Sequence, residues 1–297
     1  MRSRRAFLAA GGALALSGCV GVAPFDQIGT PPPRSGFAEV DNGRLYYEIA
    51  GSGPPVVLLH AFALDTRMWD DQFALLAREY RVVRYDARGF GRSSVPVPAT
   101  PYSHVDDFLA LTRHLEVHRP HLVGVSMGAR FALDIAVSQP DAARSLVFID
   151  GVIGGWDWSK GWLESYAPIV QAGRRGEIGA AKAAFLAHPL FAPARERPEV
   201  AARLRQMVDD YSGWHFTHTD PERRLEPPAL ARLGRVRATT LAIVGDRDLP
   251  DFQRMAAEIE RQVANARRLG IAGAGHLSNM EAPEVVNTAL RSFLARA

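Results

Sequence analysis

The sequence has little cysteine: Cys19 is the only one in 297 residues. That excludes an intrachain disulfide framework and any cysteine-rich metal site. An apolar run long enough to cross a bilayer is also missing, since residues 6–16 are about half of the ~20 that a spanning helix requires. Internal repeats are absent. Beyond residue 18 the chain has no excess of charge of either sign. The formal net charge of +3 comes from Arg2, Arg4 and Arg5, which leaves 32 basic against 32 acidic residues in the remainder. A basic surface for nucleic acid is therefore not expected. The length suits one large domain, or a core domain carrying a smaller insert.

A charged start, a short apolar stretch and small residues before Cys19 make residues 1–18 a secretory leader. Ser3-Arg4-Arg5-Ala6-Phe7-Leu8 resembles the twin-arginine export motif. Leu16-Ser17-Gly18-Cys19 resembles a bacterial lipobox, which implies lipidation of the Cys19 thiol and cleavage just before it. Residues 19–36, with Pro24 and Pro31-Pro32-Pro33, read as lipid anchor and linker, with a reach on the order of 50 Å if extended. The expected location is outside the cytoplasm, tethered to a bacterial membrane, with the folded body starting near Phe37.

Two extended runs on either side of Asn42-Gly43 predict a hairpin. Residues 55–60 form a continuous apolar run, as in a strand buried on both faces. Further strands are expected at 81–86, 121–125, 145–150, 239–244 and 268–271. Helical spacing over 66–79, 104–117, 128–138, 251–263 and 282–295 separates or follows them. A hairpin followed by β-α repeats implies an α/β fold, a mostly parallel eight-stranded sheet with helices on both faces. Residues 151–237 break the rhythm and are too long for a loop. Helical stretches at 161–172, 178–187 and 198–211 make them an inserted cap between core parts 37–150 and 238–297. The cap is expected over the carboxyl edge of the sheet, where such folds bind ligands.

Gly124-Val125-Ser126-Met127-Gly128 fits G-x-S-x-G between a predicted strand and a predicted helix, the context that gives this motif chemical meaning. A sharp turn there lifts the Ser126 hydroxyl above the sheet at a helix amino end. A serine needs a base, and the base needs an orienting acid. Asp246 and Asp248 follow one apolar strand and His276 follows the last, so all three share an edge of the sheet with Ser126. Asp150, ending an earlier strand, is a rival acid. The backbone N–H of Met127 is the first expected oxyanion donor.

With these residues in place, the chain from Phe37 onward resembles a capped α/β-hydrolase of the kind that includes esterases and enol-lactone hydrolases. The resemblance implies that Asp248 is the acid and that His276, within Ala274-Gly275-His276-Leu277, is the base. His60-Ala61-Phe62 resembles the family's His-Gly-aromatic turn, which implies the Phe62 N–H as second oxyanion donor. Ala61 stands where the family has glycine, and would strain the turn if that position needs a positive φ. The segment from Asp86 to Ser93 also matches a family segment, expected to be a glycine-shaped turn tied by a charge pair. Serine at the elbow separates the chain from dehalogenases and epoxide hydrolases of this fold, which use a carboxylate nucleophile. The implied reaction is cleavage of a small carboxylic ester or lactone through an acyl-enzyme on Ser126, without cofactor or metal. Peroxide or an alcohol could replace water as acceptor, giving a perhydrolase or acyltransferase. From another class, a ligand-binding lipoprotein would keep the fold and leave the Ser126, Asp248 and His276 set without purpose.

Other residues have plainer readings. His215 and His218 are three apart without a third ligand nearby, so cap surface or pocket lining is expected rather than a metal site. His60 is expected to be a hydrogen-bonded structural residue. Trp156 and Trp158 either wall an apolar acyl pocket or pack in the core. Gly51-Ser52-Gly53 lacks the Lys-Ser/Thr of a phosphate loop.

Overall fold

The computed structural model describes residues 33–297. The leader, Cys19 and most of the expected linker lie outside the described residues. Strand β1 (Arg34–Val40) starts three residues before the expected body, because Arg34, Ser35 and Gly36 pair with Ile49, Glu48 and Tyr47. Its partner β2 (Gly43–Ala50) runs antiparallel to it. The tight turn falls on Asp41 and Asn42, one residue earlier than expected, with Asn42 taking the positive φ of 56°. Asparagine tolerates that conformation. Gly43 serves the strand instead, where a Cβ would press on Arg88 and Ser94.

The remaining strands are β3 (Pro55–Leu59), β4 (Arg81–Tyr85), β5 (His121–Val125), β6 (Ser145–Ile149), β7 (Thr239–Gly245) and β8 (Ala266–Ile271). They form one eight-stranded sheet in the order β1-β2-β4-β3-β5-β6-β7-β8, parallel from β4 onward. Strands β5 and β6 are buried throughout, as continuous apolar runs require when both faces are covered. Edge strand β8 exposes Arg267 and Arg268, charges that discourage pairing with another sheet.

Helices α1 (Asp70–Leu76), α2 (His104–His114) and α3 (Met127–Ser138) follow β3, β4 and β5. Residues 66–79 are not one helix. A 3₁₀ turn at Thr66–Trp69, capped by the Asp65 carboxylate, precedes α1, and Trp69 leaves helical geometry between them. Between β6 and β7 come α4 (Lys160–Arg174), α5 (Ile178–Ala187), α6 (Ala192–Arg195), α7 (Pro198–Asp210) and α8 (Trp214–Thr217). The four-residue helices α6 and α8 are too short to show a period in sequence. Ion pairs tie this segment to the core, Arg67 to Asp210 and Arg203 to Asp71, each at 2.7 Å. Helix α9 (Pro250–Gln262) follows β7. After β8, the helix expected over 282–295 is α11 (Pro283–Leu294), and a four-residue helix α10 (Ser278–Glu281) that was not expected precedes it. Pro283 offers no N–H and forces Ala282 out of helical geometry, to φ −139° and ψ 57°.

Candidate active site

Between β5 and α3 the chain turns so sharply that Ser126 sits at φ 54° and ψ −113°, a region that side chains other than glycine avoid. The flanking glycines permit it. A Cβ on Gly124 would collide with the Gly128 backbone, and one on Gly128 would collide with the Leu59 carbonyl. The strained turn projects the serine hydroxyl off the carboxyl end of β5.

Two distant loops meet that hydroxyl. His276, after β8, places Nε2 2.8 Å from Ser126 Oγ and Nδ1 2.9 Å from Asp248 Oδ2, after β7. The Nδ1–H donates to the carboxylate, which leaves Nε2 as an acceptor for the serine proton. Asp248 Oδ1 accepts the Leu249 N–H at 2.7 Å, which fixes the carboxylate plane. His276 and Asp248 are both buried. The rival acids have other work. Asp246 accepts the Gly273 N–H at 2.8 Å and caps the turn after β8. Asp150 is fully buried at φ 45°, and its two oxygens accept the N–H groups of Gly245 and Ser278 at 2.9 and 3.0 Å. Burial and the neighbouring Asp248 charge push its carboxyl well above the ordinary carboxylate range.

The two expected oxyanion donors line the same cavity as Ser126. Met127 opens α3, so its N–H has no intrahelical acceptor. The Phe62 N–H has no backbone acceptor among the described residues, whereas the Ala61 N–H is taken by Met68 Sδ at 3.2 Å. Positive φ falls on Ala63, at 59°, and not on Ala61, so alanine at 61 does not strain the turn. His60 is held between the Ala61 carbonyl and the Ala87 N–H, each at 2.8 Å, as a structural residue. The turn from Asp86 to Ser93 is tied by the buried Arg88–Asp107 pair at 2.6 Å. Asp86 accepts N–H groups from Thr66 and Arg92 at 2.8 and 2.9 Å.

Above these groups lies a cavity of about 280 Å³, floored by the strand ends and roofed by the segment between β6 and β7. Trp158, Trp162, Tyr166, Phe185, Phe191 and Phe252 make one wall. Trp158 stacks on Trp162 at 4.5 Å, and Phe252 packs on the His276 ring at 4.2 Å. Trp156 lies outside this cavity, with its indole N–H donating to Asp251 at 3.3 Å.

A family model of the alpha/beta hydrolase fold matches residues 54–283. The chain belongs to the alpha/beta hydrolase fold family. An enol-lactonase from Burkholderia xenovorans LB400 superposes with a TM-score of 0.73 at 25% identity, over 88% of this chain and 100% of that one. A thermophilic esterase from Thermogutta terrifontis does so with a TM-score of 0.73 at 27% identity, over 89% and 98%. A fluoroacetate dehalogenase from a Burkholderia species is 40% identical over 108 residues, but the match spans 34% of this chain and 36% of that relative. This α/β-hydrolase is an enzyme of the kind that acts on ester bonds.

The hydrolase keeps its cavity electrically quiet where the aromatic wall stands, and polar at the other end. His104, Arg130, His215, Asp220, Glu222 and Arg224 line that end. His104 is buried against Phe131, and desolvation keeps it neutral by lowering its pKa well below the usual value. His215 is in the cavity wall while His218 is exposed and stacks on Trp214, so the pair does not converge. Among the described residues, no group of three His, Cys, Asp or Glu is placed to hold a metal ion. Sequence reasoning missed Glu281, whose carboxylate accepts the Gly275 and Leu277 N–H groups at 2.6 and 3.0 Å on either side of His276. It missed Tyr211, Asp220 and Phe252 as well, since none carries a local motif.

Proposed function

We propose that the chain is a serine hydrolase that cleaves a small carboxylic ester or lactone through an acyl-enzyme on Ser126. The observation that carries this reading is the unbroken relay from Ser126 Oγ through His276 to Asp248, at 2.8 and 2.9 Å, opening into a cavity. His276 Nε2 takes the serine proton as Oγ attacks the carbonyl carbon, and later returns it to the leaving oxygen. Asp248 holds the ring in the required tautomer and offsets the charge of the imidazolium. The Met127 and Phe62 N–H groups receive the developing oxyanion, each contributing ~2.7–4 kcal/mol at the transition state. Water then takes the acyl group by the same proton path in reverse. A carboxylate-displacement reaction of the dehalogenase kind is disfavoured, because a serine occupies the elbow.

A fluorophosphonate probe tests the reading directly. Wild-type protein should label at Ser126, Ser126→Ala should not, and His276→Ala should label at least about 100-fold more slowly. An unlabelled wild type, or a His276→Ala variant labelled at the wild-type rate, refutes it.

For location, we propose export and attachment to a bacterial membrane through lipid on Cys19. The support is the order of Arg4-Arg5, the apolar stretch and Leu16-Ser17-Gly18-Cys19 in the sequence. Two or more acyl chains at about 0.8 kcal/mol per buried CH₂ would keep the enzyme at the bilayer. Mass spectrometry of the membrane fraction should find a lipidated Cys19 as the new amino terminus; a chain still beginning at Met1 excludes the anchor.

A further inference from the structure

The polar end of the cavity contains a donor and an acceptor that hydrolysis at Ser126 does not use. His215 is stacked on Phe90 at 4.4 Å and 8°, so its ring plane is fixed. Beside it, the buried Tyr211 hydroxyl accepts the His215 backbone N–H at 2.8 Å and lies 2.8 Å from Nδ1. Among the described residues, Nδ1 is the one acceptor that the Tyr211 proton meets. Nδ1 therefore accepts, and the ring carries its own proton on Nε2. Burial keeps that ring neutral by lowering its pKa to about 4.

Nε2 lies 3.7 Å from Asp220 Oδ2, beyond hydrogen-bond reach. The other Asp220 oxygen accepts the Glu222 N–H at 3.2 Å, and the nearby Tyr102 hydroxyl meets His104 Nε2 at 3.4 Å. Nearby cations are engaged elsewhere: Arg130 pairs with Glu222 at 2.9 Å and Asp134 at 3.4 Å, and Arg224 lies 3.5 Å from Glu222. A donor and an acceptor thus stand side by side in the cavity wall, each without the other.

We propose that His215 and Asp220 form a subsite for a hydroxyl group of the substrate. The hydroxyl oxygen accepts the His215 Nε2–H and its proton is donated to Asp220 Oδ2. A separation of 3.7 Å allows one oxygen to reach both at about 2.8 Å. Other small groups fit worse. A carboxylate meets the Asp220 charge, an ammonium offers nothing to the Nε2–H, and a methyl leaves both groups without a partner. The inference rests on the Ser126 hydrolase reading and names its substrate class: hydroxylated esters or lactones, with the carbon skeleton against the aromatic wall.

The test compares p-nitrophenyl 3-hydroxybutyrate with butyrate, and 6-hydroxyhexanoate with hexanoate. At least one hydroxylated member should exceed its partner at least about tenfold in kcat/KM, because the deoxy ester displaces water from this donor and acceptor without replacing its hydrogen bonds. His215→Phe, which keeps the ring stack, and Asp220→Ala should both bring that ratio toward one. Equal kcat/KM within both pairs, in wild-type protein that labels at Ser126, overturns the subsite. So does a ratio that survives both substitutions. Calorimetry of the Ser126→Ala variant with the corresponding methyl esters reads the subsite without turnover. There the hydroxylated ester should again bind more tightly, and equal binding overturns the inference. Failure of labelling would overturn the hydrolase reading alone, and the calorimetry would still decide the subsite.

Discussion

Each oxygen of the Asp150 carboxyl accepts one backbone N–H, from Gly245 before Asp248 and from Ser278 after His276. One buried side chain therefore sets the spacing of the two loops that must meet at Ser126. In Asp150→Asn the amide NH₂ has to face one of those N–H groups, donor against donor. The expected loss is about 1–3 kcal/mol of stability, read from urea denaturation, together with a lower kcat as His276 shifts. Unchanged stability and kcat would show that the loops hold their spacing without it. Asp248→Asn acts differently, because the fold is spared and the tautomer is lost. Its kcat on a p-nitrophenyl ester should fall on the order of 10³–10⁴-fold with little change in KM. A fall of under tenfold would move the acid's role to another residue. At this scale Ser126 was legible in the sequence, since a strained turn needs its glycines nearby in the chain. Asp248 was separated from Asp246 by resemblance alone, because two acids in one loop look alike until a histidine arrives beside one of them.

At the scale of elements, the elbow depends on how closely α3 crosses β3 and β5. Gly128→Ala would push a Cβ into the carbonyl of the buried Leu59, a strand atom that cannot yield. We expect a destabilisation of more than about 2 kcal/mol and little Ser126 labelling, measured by thermal melting and probe reaction. Gly89 has the corresponding role under the roof, with φ 87° and its missing Cβ facing the His215 ring. Gly89→Ala should loosen the His215–Phe90 stack and blunt selectivity for hydroxylated esters more than it slows deoxy esters. Equal slowing of both would show that the stack does not govern the polar end. Long elements were readable because their periods are local; β5 and α5 run from 121–125 and 178–187 as expected. The break at Trp69 and the short helix α10 were not: the apolar pattern runs on past Trp69, and four residues are too few to show a period.

The whole molecule carries several imidazoles that folding keeps neutral. Desolvation holds His121, His188 and His215 down to about 4 and lowers His104 well below its ordinary value. Once unfolded, each takes a proton near its ordinary value of ~6.5. Between about pH 6.5 and 4 the unfolded chain binds more protons, so stability that is complete above that range is lost as the pH falls through it. Buried carboxyls work the opposite way: burial raises Asp134 to about 6 and also lifts Asp86, Asp107, Asp150 and Asp220. The histidine share can be read one residue at a time: in His121→Phe the urea-derived stability should fall less from pH 7 to pH 5 than in wild type, by up to roughly 1.4 kcal/mol per pH unit for the one proton removed. An identical pH slope in the two proteins would refute the account.

Some features of this protein follow from sequence alone: the strand and helix alternation, the hairpin at the start, the elbow serine, and the long interruption between β6 and β7. Each depends on neighbours within one element, where apolar period and glycine placement act directly. The rest belongs to the tertiary structure. Ser126 and His276 are 150 positions apart and touch because β5 and β8 end on one edge of a single sheet. The choice of Asp248, the bridge through Asp150, the clasp of Glu281 and the pairing of His215 with Asp220 all follow from that convergence. They are contacts between loops, and a loop's partners are decided by where the sheet delivers its ends.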